Sequence, residues 1–230
     1  MAYMMIALLS TLFVYKIVSI GPTIITAGAL LSPLWYFTAD IITEVYGYNI
    51  TRKVIWSELF LEFIFVSLGF LFIMLPSPEY WSLDSAYKSI FSNLPRVMVG
   101  SIVGTLAGSF INSYLISKWK ILLKGKSFWL RSLGANAIGQ LFLSASTSII
   151  DLGGAIPLTE IVKEIFTAFP LKLASLSLLI IPTAIITEVL KRVEKYDKYD
   201  TDIDYNPFLV FKPSPNISSQ SNNEQINITN

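Results

Sequence analysis

Two carboxylates, Asp40 and Glu44, stand one helical turn apart in Pro33-Leu-Trp-Tyr-Phe-Thr-Ala-Asp40-Ile-Ile-Thr43-Glu44-Val-Tyr46-Gly47, near the end of an apolar run. Residues three and four apart share a helix face, so Asp40, Thr43, Glu44 and Gly47 lie together, with Tyr36 one turn earlier. Charge inside a segment able to cross a bilayer is expensive, and it marks either a site or a paired network. Two carboxylates so close repel unless cations, a proton or ligand donors occupy the space between them. Their oxygens suit the N–H donors of a small polar molecule, and a guanine-like edge would match one carboxylate in two parallel bonds. Trp35, Tyr36, Phe37, Tyr46 and Tyr48 supply aromatic faces for stacking. The competing reading is an interhelical ion-pair network that fixes packing, and the residue types alone leave both open.

Either reading needs partners. Lys16, Arg96, Arg131 and Lys172 are the basic residues in or at the edge of apolar runs, apart from loop clusters. Ser132, Asn136, Gln140, Ser144 and Ser148 recur at four-residue intervals, making one face of a later helix polar from end to end. Such amides and hydroxyls either bond neighbouring helices or serve the carbonyl and ring nitrogens of a ligand. Gly100, Gly104 and Gly108 form a stripe without side chains, which lets another helix approach closely. Arg96 and Asn112 extend that stripe and point inward if it faces the bundle. Glu58 and Glu62 read instead as an interfacial acidic face pairing with Arg52 and Lys53.

The elements that must position these groups are membrane spans. The chain is 53% hydrophobic and 14% charged, against roughly 25% charged for a soluble domain. Apolar runs predict an all-α membrane protein of six transmembrane helices over residues 3–20, 23–46, 54–75, 96–116, 128–150 and 171–190. Helical spacing within 76–95 and 158–169 predicts two surface helices, with Asn93 and Pro95 as cap and first turn of the fourth span. The first run lacks a basic leader and a small-residue cleavage site and reads as a retained span. Lys118, Lys120, Lys124 and Lys126 read as a solvated cluster in a short loop. That cluster, with Arg52, Lys53, Arg131 and Lys191, predicts both termini in the cytoplasm. Residues 1–208 make one transporter-like domain, and 209–230, rich in Ser, Asn and Gln, read as a disordered tail.

The composition also excludes. A net charge of +1 offers no general surface for nucleic acid. No cysteine and no histidine are present, which removes thiolate metal sites, histidine ligands and Ser-His or Cys-His nucleophiles. There is no Gly-x-Gly-Asp motif for an intramembrane aspartyl hydrolase, so the chain reads as no enzyme, without cofactor or metal.

Thr38-Ala-Asp40-Ile-Ile-Thr43-Glu44-Val-Tyr46-Gly47 followed by Arg52 resembles the signature of the queuosine precursor transporter family, also called the vitamin uptake transporter family. Further matches are Pro95-Arg96, Arg131-Ser-Leu-Gly134, Gly139-Gln140, and a charged end from Asp197 to Asp204 leading into Asn206-Pro207-Phe208. The resemblance implies a six-helix inner-membrane importer of deazaguanine bases used in tRNA modification. It implies a fold similar to the substrate-binding components of energy-coupling-factor vitamin transporters. The acidic pair maps onto Asp40 and Glu44, the arginines onto Arg96 and Arg131, and the glutamine onto Gln140. Leu143 and Ala135 depart from the family pattern, where an aspartate and a serine are expected. With the residue reading, the candidate substrate-binding set is Tyr36, Asp40, Thr43, Glu44, Tyr46, Arg96, Arg131, Asn136, Gln140 and Lys172. The implied partners are a small planar heterocycle and the lipid bilayer. The alternative is a binding subunit for a vitamin-like solute that docks on an ATP-hydrolysing module, with the glycine stripe as docking surface; a homo-oligomer also stays open.

Overall fold

The computed structural model describes residues 1–21, 23–154, 157–201 and 203–210. Helix α1 (Ala2–Leu12) leads to an antiparallel hairpin of β1 (Ile17–Ile20) and β2 (Thr23–Thr26), with Ile17 opposite Thr26. Then come α2 (Ala27–Tyr46), α3 (Tyr48–Ile73), α4 (Asp84–Phe91), α5 (Leu94–Leu122), α6 (Phe128–Leu152) and α7 (Leu158–Glu194). Among the described residues, four helices are long and apolar enough to cross a membrane: α3, α5 with the preceding α4, α6 and α7. Their outer faces carry Phe60, Phe63, Leu71 and Phe72 on α3 and Leu178, Ile181 and Val193 on α7, all exposed. Such apolar surface is what hydrocarbon covers.

The expected first span is not one helix. Its α-helical part has 11 residues, a length of about 16 Å against a hydrocarbon core of about 30 Å. Ile17, Val18, Ile20, Ile25 and Thr26 are β-branched and enter the hairpin, where that shape is favoured. Gly21 turns between the strands at φ +58, a conformation that glycine adopts without a Cβ penalty. The hairpin also takes the first residues expected of the second span, so α2 starts at Ala27, capped by the Thr26 hydroxyl accepting from the Ala29 N–H at 3.1 Å.

Pro33 lies inside α2 without ending it. Lacking an N–H, proline leaves the carbonyl one turn back without its helical donor, and the Ser32 hydroxyl donates to that Ala29 carbonyl at 2.8 Å. Residues 158–169 and the sixth span are likewise one helix, α7, of 37 residues running through Pro170 and Pro182. The surface helix expected within 76–95 is present as α4, and Phe91 at its end packs its ring against Phe65 of α3 with centroids 6.3 Å apart. Asn93 occupies the N-cap of α5 as expected.

The glycine stripe seats α5 directly on α6. A Cβ on Gly108 would lie 2.6 Å from the Gly139 carbonyl oxygen and 2.8 Å from the Leu143 Cβ, and one on Gly104 would lie 2.8 Å from Leu143 Cδ1. Helices α5 and α6 therefore pack backbone to backbone. Gly108→Val forces them apart, and overpacking of this kind costs about 1–3 kcal/mol. An unfolding temperature in detergent lower than that of the unaltered protein is the expected result.

Candidate functional site

Asp40 and Glu44 are both wholly buried at one end of the bundle, and each has a complete set of partners. The Asp40 carboxylate accepts from Asn112 Nδ2 at 2.9 Å, from Asn136 Nδ2 at 2.6 Å and from the Ser132 hydroxyl. The Asn112 amide comes from α5, whereas Ser132 and Asn136 are successive members of the polar stripe on α6. Glu44 receives a bidentate fork from Arg131, Nη1 at 2.8 Å and Nη2 at 3.0 Å, and Lys191 Nζ from α7 at 2.7 Å. Lys120 Nζ lies 3.9 Å from the same carboxylate and donates to the Glu44 backbone carbonyl at 2.5 Å.

Lys120 thus does not belong to a solvated loop. Helix α5 runs to Leu122, carrying Lys118 and Lys120 as helical residues, and Lys120 is 2% exposed. A segment beyond α7 folds back over this end of the bundle. Asp197 accepts from Lys120 at 2.5 Å and pairs with Lys191 at 3.0 Å. Burial works to raise the Asp197 carboxyl, but the hydrogen bonds from Lys120 and Lys191 outweigh it and hold it below the usual aspartate range. Asp200 accepts from the Tyr48 N–H at 2.8 Å and from the Ser117 hydroxyl at 2.6 Å. It sits where the break at Gly47, φ +83, leaves the first N–H groups of α3 free. Arg52 donates to the Asp204 and Asn206 carbonyls at 3.0 and 2.8 Å, so it is a clasp for this strap and no partner of Glu58. The expected tail beyond residue 210 lies outside the described residues.

Toward the other end, the helices part around a cavity of about 200 Å³ bounded by α1, the hairpin, α2, α5, α6 and α7. Gln140, Ser144 and Ser148 continue the α6 stripe along its wall, facing Lys172 and Glu164 of α7. Lys172 Nζ donates to the Ser144 hydroxyl at 2.8 Å, Gln140 Nε2 donates to the same oxygen at 3.2 Å, and the Ser148 hydroxyl donates to Glu164 at 2.9 Å. The Gln140 Oε1 is buried and has no hydrogen-bond partner among the described residues. Trp35, one residue before Tyr36, adds an aromatic wall. A small, mostly apolar recess with an open acceptor and a buried lysine can hold a solute of one or two fused rings, since drug-sized pockets run roughly 300–1,000 Å³.

The candidate residues therefore divide. Gln140 and Lys172 line the cavity. Asn136 and Asp40 lie one turn further along the α6 stripe, with Tyr36 beside Gly139, where a Cβ would be 3.4 Å from the Tyr36 ring. Thr43 bonds Thr51 at 3.0 Å, holding α2 to α3, while Glu44 and Arg131 belong to the ion-paired end. Tyr46 is outside, donating to Glu194 at 2.7 Å. Arg96 is exposed and points to the end of α6, donating to the Ile150 carbonyl at 2.7 Å and to that of Gly153.

Wall residues that no sequence motif marks include Glu164, inside an expected surface helix, Asp151, after the end of an expected span, Thr11, in the run whose helical part is short, and Ser101, beside the glycine stripe. Glu58 and Glu62 do not form an interfacial face with Arg52 and Lys53: they are 2% and 1% exposed and face the bundle interior. Glu62 accepts from Thr11 and Ser101, both at 2.7 Å, and among the described residues it pairs with no base.

A family model described as "Putative vitamin uptake transporter" matches residues 26–187. The chain is 28% identical over 178 residues, 76% of its own length and 76% of the relative's, to the "Probable queuosine precursor transporter" of Bacillus subtilis (strain 168). No solved structure matches it. The family match covers the residues that build the cavity and the buried acidic pair except those before residue 26, Lys191 and the strap, and the long apolar helices suit a multi-pass membrane protein. The protein is a transporter and not an enzyme, and it belongs to the vitamin uptake transporter family.

Proposed function

We propose that this transporter imports queuosine precursors, deazaguanine bases, across the cytoplasmic membrane for salvage into modified tRNA. The observation that carries this reading is Gln140 and Lys172 on one small cavity beside Trp35. The amide and ammonium suit the carbonyl and ring nitrogens of a bicyclic base, and the indole suits its face. The name of the Bacillus subtilis relative supports the same substrate class.

In this reading Gln140 and Lys172 hold the base, with Asn136, Asp40 and Tyr36 as the next contacts along its path. Glu44, Arg131 and Lys191 close the cytoplasmic end, and alternating access breaks that cluster while the cavity closes at the other end. Both termini then lie in the cytoplasm. Arg96, Thr43 and Tyr46 hold helix ends and do not touch solute. A subunit dependent on an ATP-hydrolysing module is the less supported reading, because the glycine stripe it would use for docking is taken up by α6.

The test is uptake of labelled precursor bases by cells unable to make them. The unaltered protein is expected to restore accumulation, and Gln140→Leu and Asp40→Asn to reduce it about tenfold, the upper range for one lost hydrogen bond. No accumulation by the unaltered protein would refute the substrate. Unchanged accumulation in both variants, at equal membrane levels, would refute the site.

A further inference from the structure

Glu58 and Glu62 are unlike the other buried acids of this bundle. Asp40 has three donors and Glu44 has three cations, but neither Glu58 nor Glu62 is in an ion pair among the described residues. Glu58 Oε2 is buried without any hydrogen-bond partner among the described residues. The groups facing the pair are neutral or acidic. Tyr3 and Thr11 come from α1, and Ser101 comes from α5. Thr105, one turn beyond Ser101 on the same face, is wholly buried with its hydroxyl unpartnered. Asp151 of α6, with Arg96 beside it, is the further acid within electrostatic reach of Glu62. On α4, Asp84 and Lys88 pair with each other at the surface, 2.6 Å apart.

Glu62 is also joined to the solute cavity. Its two oxygens each accept one hydroxyl, from Thr11 and from Ser101 at 2.7 Å, and both of these residues line the cavity wall. The carboxylate thus sits one side chain behind the recess. Uncompensated charge is rarely kept inside a membrane bundle except on ion and proton pathways.

We propose that Glu62, with Glu58, binds the proton that drives transport, and that Thr11 and Ser101 couple its occupancy to that of the solute cavity. This rests on the transporter reading above. With the cavity empty, the two hydroxyls donate to the Glu62 carboxylate. A solute whose acceptor atoms take those hydroxyl protons leaves Glu62 without donor or cation, and the carboxylate then binds a proton from the side to which the cavity is open. Solute and proton each favour the other's binding, as linkage requires. They cross together, and the proton leaves when the solute departs and the hydroxyls return to Glu62. Two carboxylates four residues apart, one oxygen of which has no partner, give the proton a place to be shared.

The first measurement needs no solute. Infrared spectra of the purified full chain across a pH titration are expected to contain the carbonyl stretch of a buried protonated carboxyl group that Glu62→Gln with Glu58→Gln removes. An unchanged titrating band in that variant overturns the proposal. The second uses proteoliposomes and a labelled deazaguanine base. An inward proton gradient is expected to raise accumulation about tenfold per pH unit, the limit for one proton per solute. Glu62→Gln is expected to abolish that response while keeping exchange of base for base. Thr11→Val with Ser101→Ala, which keeps both carboxylates but removes the two hydroxyls that reach the cavity, is expected to abolish the response and to slow base exchange, and it serves if Glu62→Gln does not reach the membrane. A response kept in these variants, or one that follows a sodium gradient instead, overturns the proposal. Absence of base exchange by the unaltered protein refutes the deazaguanine reading instead, and the infrared result then decides the proton site alone.

Discussion

Arg131→Met is expected to cost the folded protein about 3–5 kcal/mol, the range for breaking a buried ion pair by removing one partner. Arg131 is 1% exposed and spends both terminal nitrogens on Glu44, which is itself wholly buried. Without the guanidinium, Glu44 keeps Lys191 at 2.7 Å and the distant Lys120 at 3.9 Å, so the loss falls toward the lower end of that range. Lysine at 131 restores charge but not the planar fork, and recovers part of the loss. Adding Glu44→Gln to Arg131→Met removes the stranded charge, so the double variant should be more stable than the sum of the single losses. Thermal unfolding of the four proteins in one detergent checks this. Additive losses would show that the two side chains do not act as a pair.

Lys172→Met should have the opposite profile, with stability held and transport lost. Lys172 donates to Ser144 alone among the described residues, and it is 9% exposed inside an apolar helix. Replacing it with an unbranched apolar side chain relieves a buried charge. If Lys172 holds a carbonyl or ring nitrogen of the solute, the lost bond from a charged donor costs about 1.5–3 kcal/mol, or roughly 10- to 150-fold in apparent affinity. Uptake measured against base concentration, beside the melting temperature, separates these effects. A fall in stability with unchanged affinity would make Lys172 a packing residue.

The polar stripe on α6 was legible in the sequence because five small polar residues at one exact period admit few other arrangements, and that face does turn inward. Two of its members reach Asp40 and the rest line the cavity. The pairing of Glu44 with Arg131 was legible as a choice between ion pair and ligand site, since burial cost forces one of the two. Glu58 and Glu62 were misread because Arg52 and Lys53 are near in the chain, and proximity along a helix says nothing of which way it rolls in the bundle. Lys120 was misread because a lysine run resembles a solvated loop, and the acids that bury it come from Glu44 and Asp197 far away in sequence. A stretch rich in β-branched residues such as 17–26, without regular alternation of apolar and polar side chains, has no period to separate strand from span. The strap was visible only as a charged ending.

The strap also fixes an order of events during synthesis. Lys191 and Asp197 follow every membrane helix except the one that carries Lys191, so the Glu44 cluster stays incomplete while the earlier helices insert. Glu44 and Arg131 can meet first, but Lys120 finds Asp197, and Tyr48 its acceptor in Asp200, only after α7 has emerged. Chains cut short before residue 197 therefore leave Lys120 with Glu44 alone and the first N–H of α3 without its acceptor, so this end of the bundle frays and opens to proteolysis.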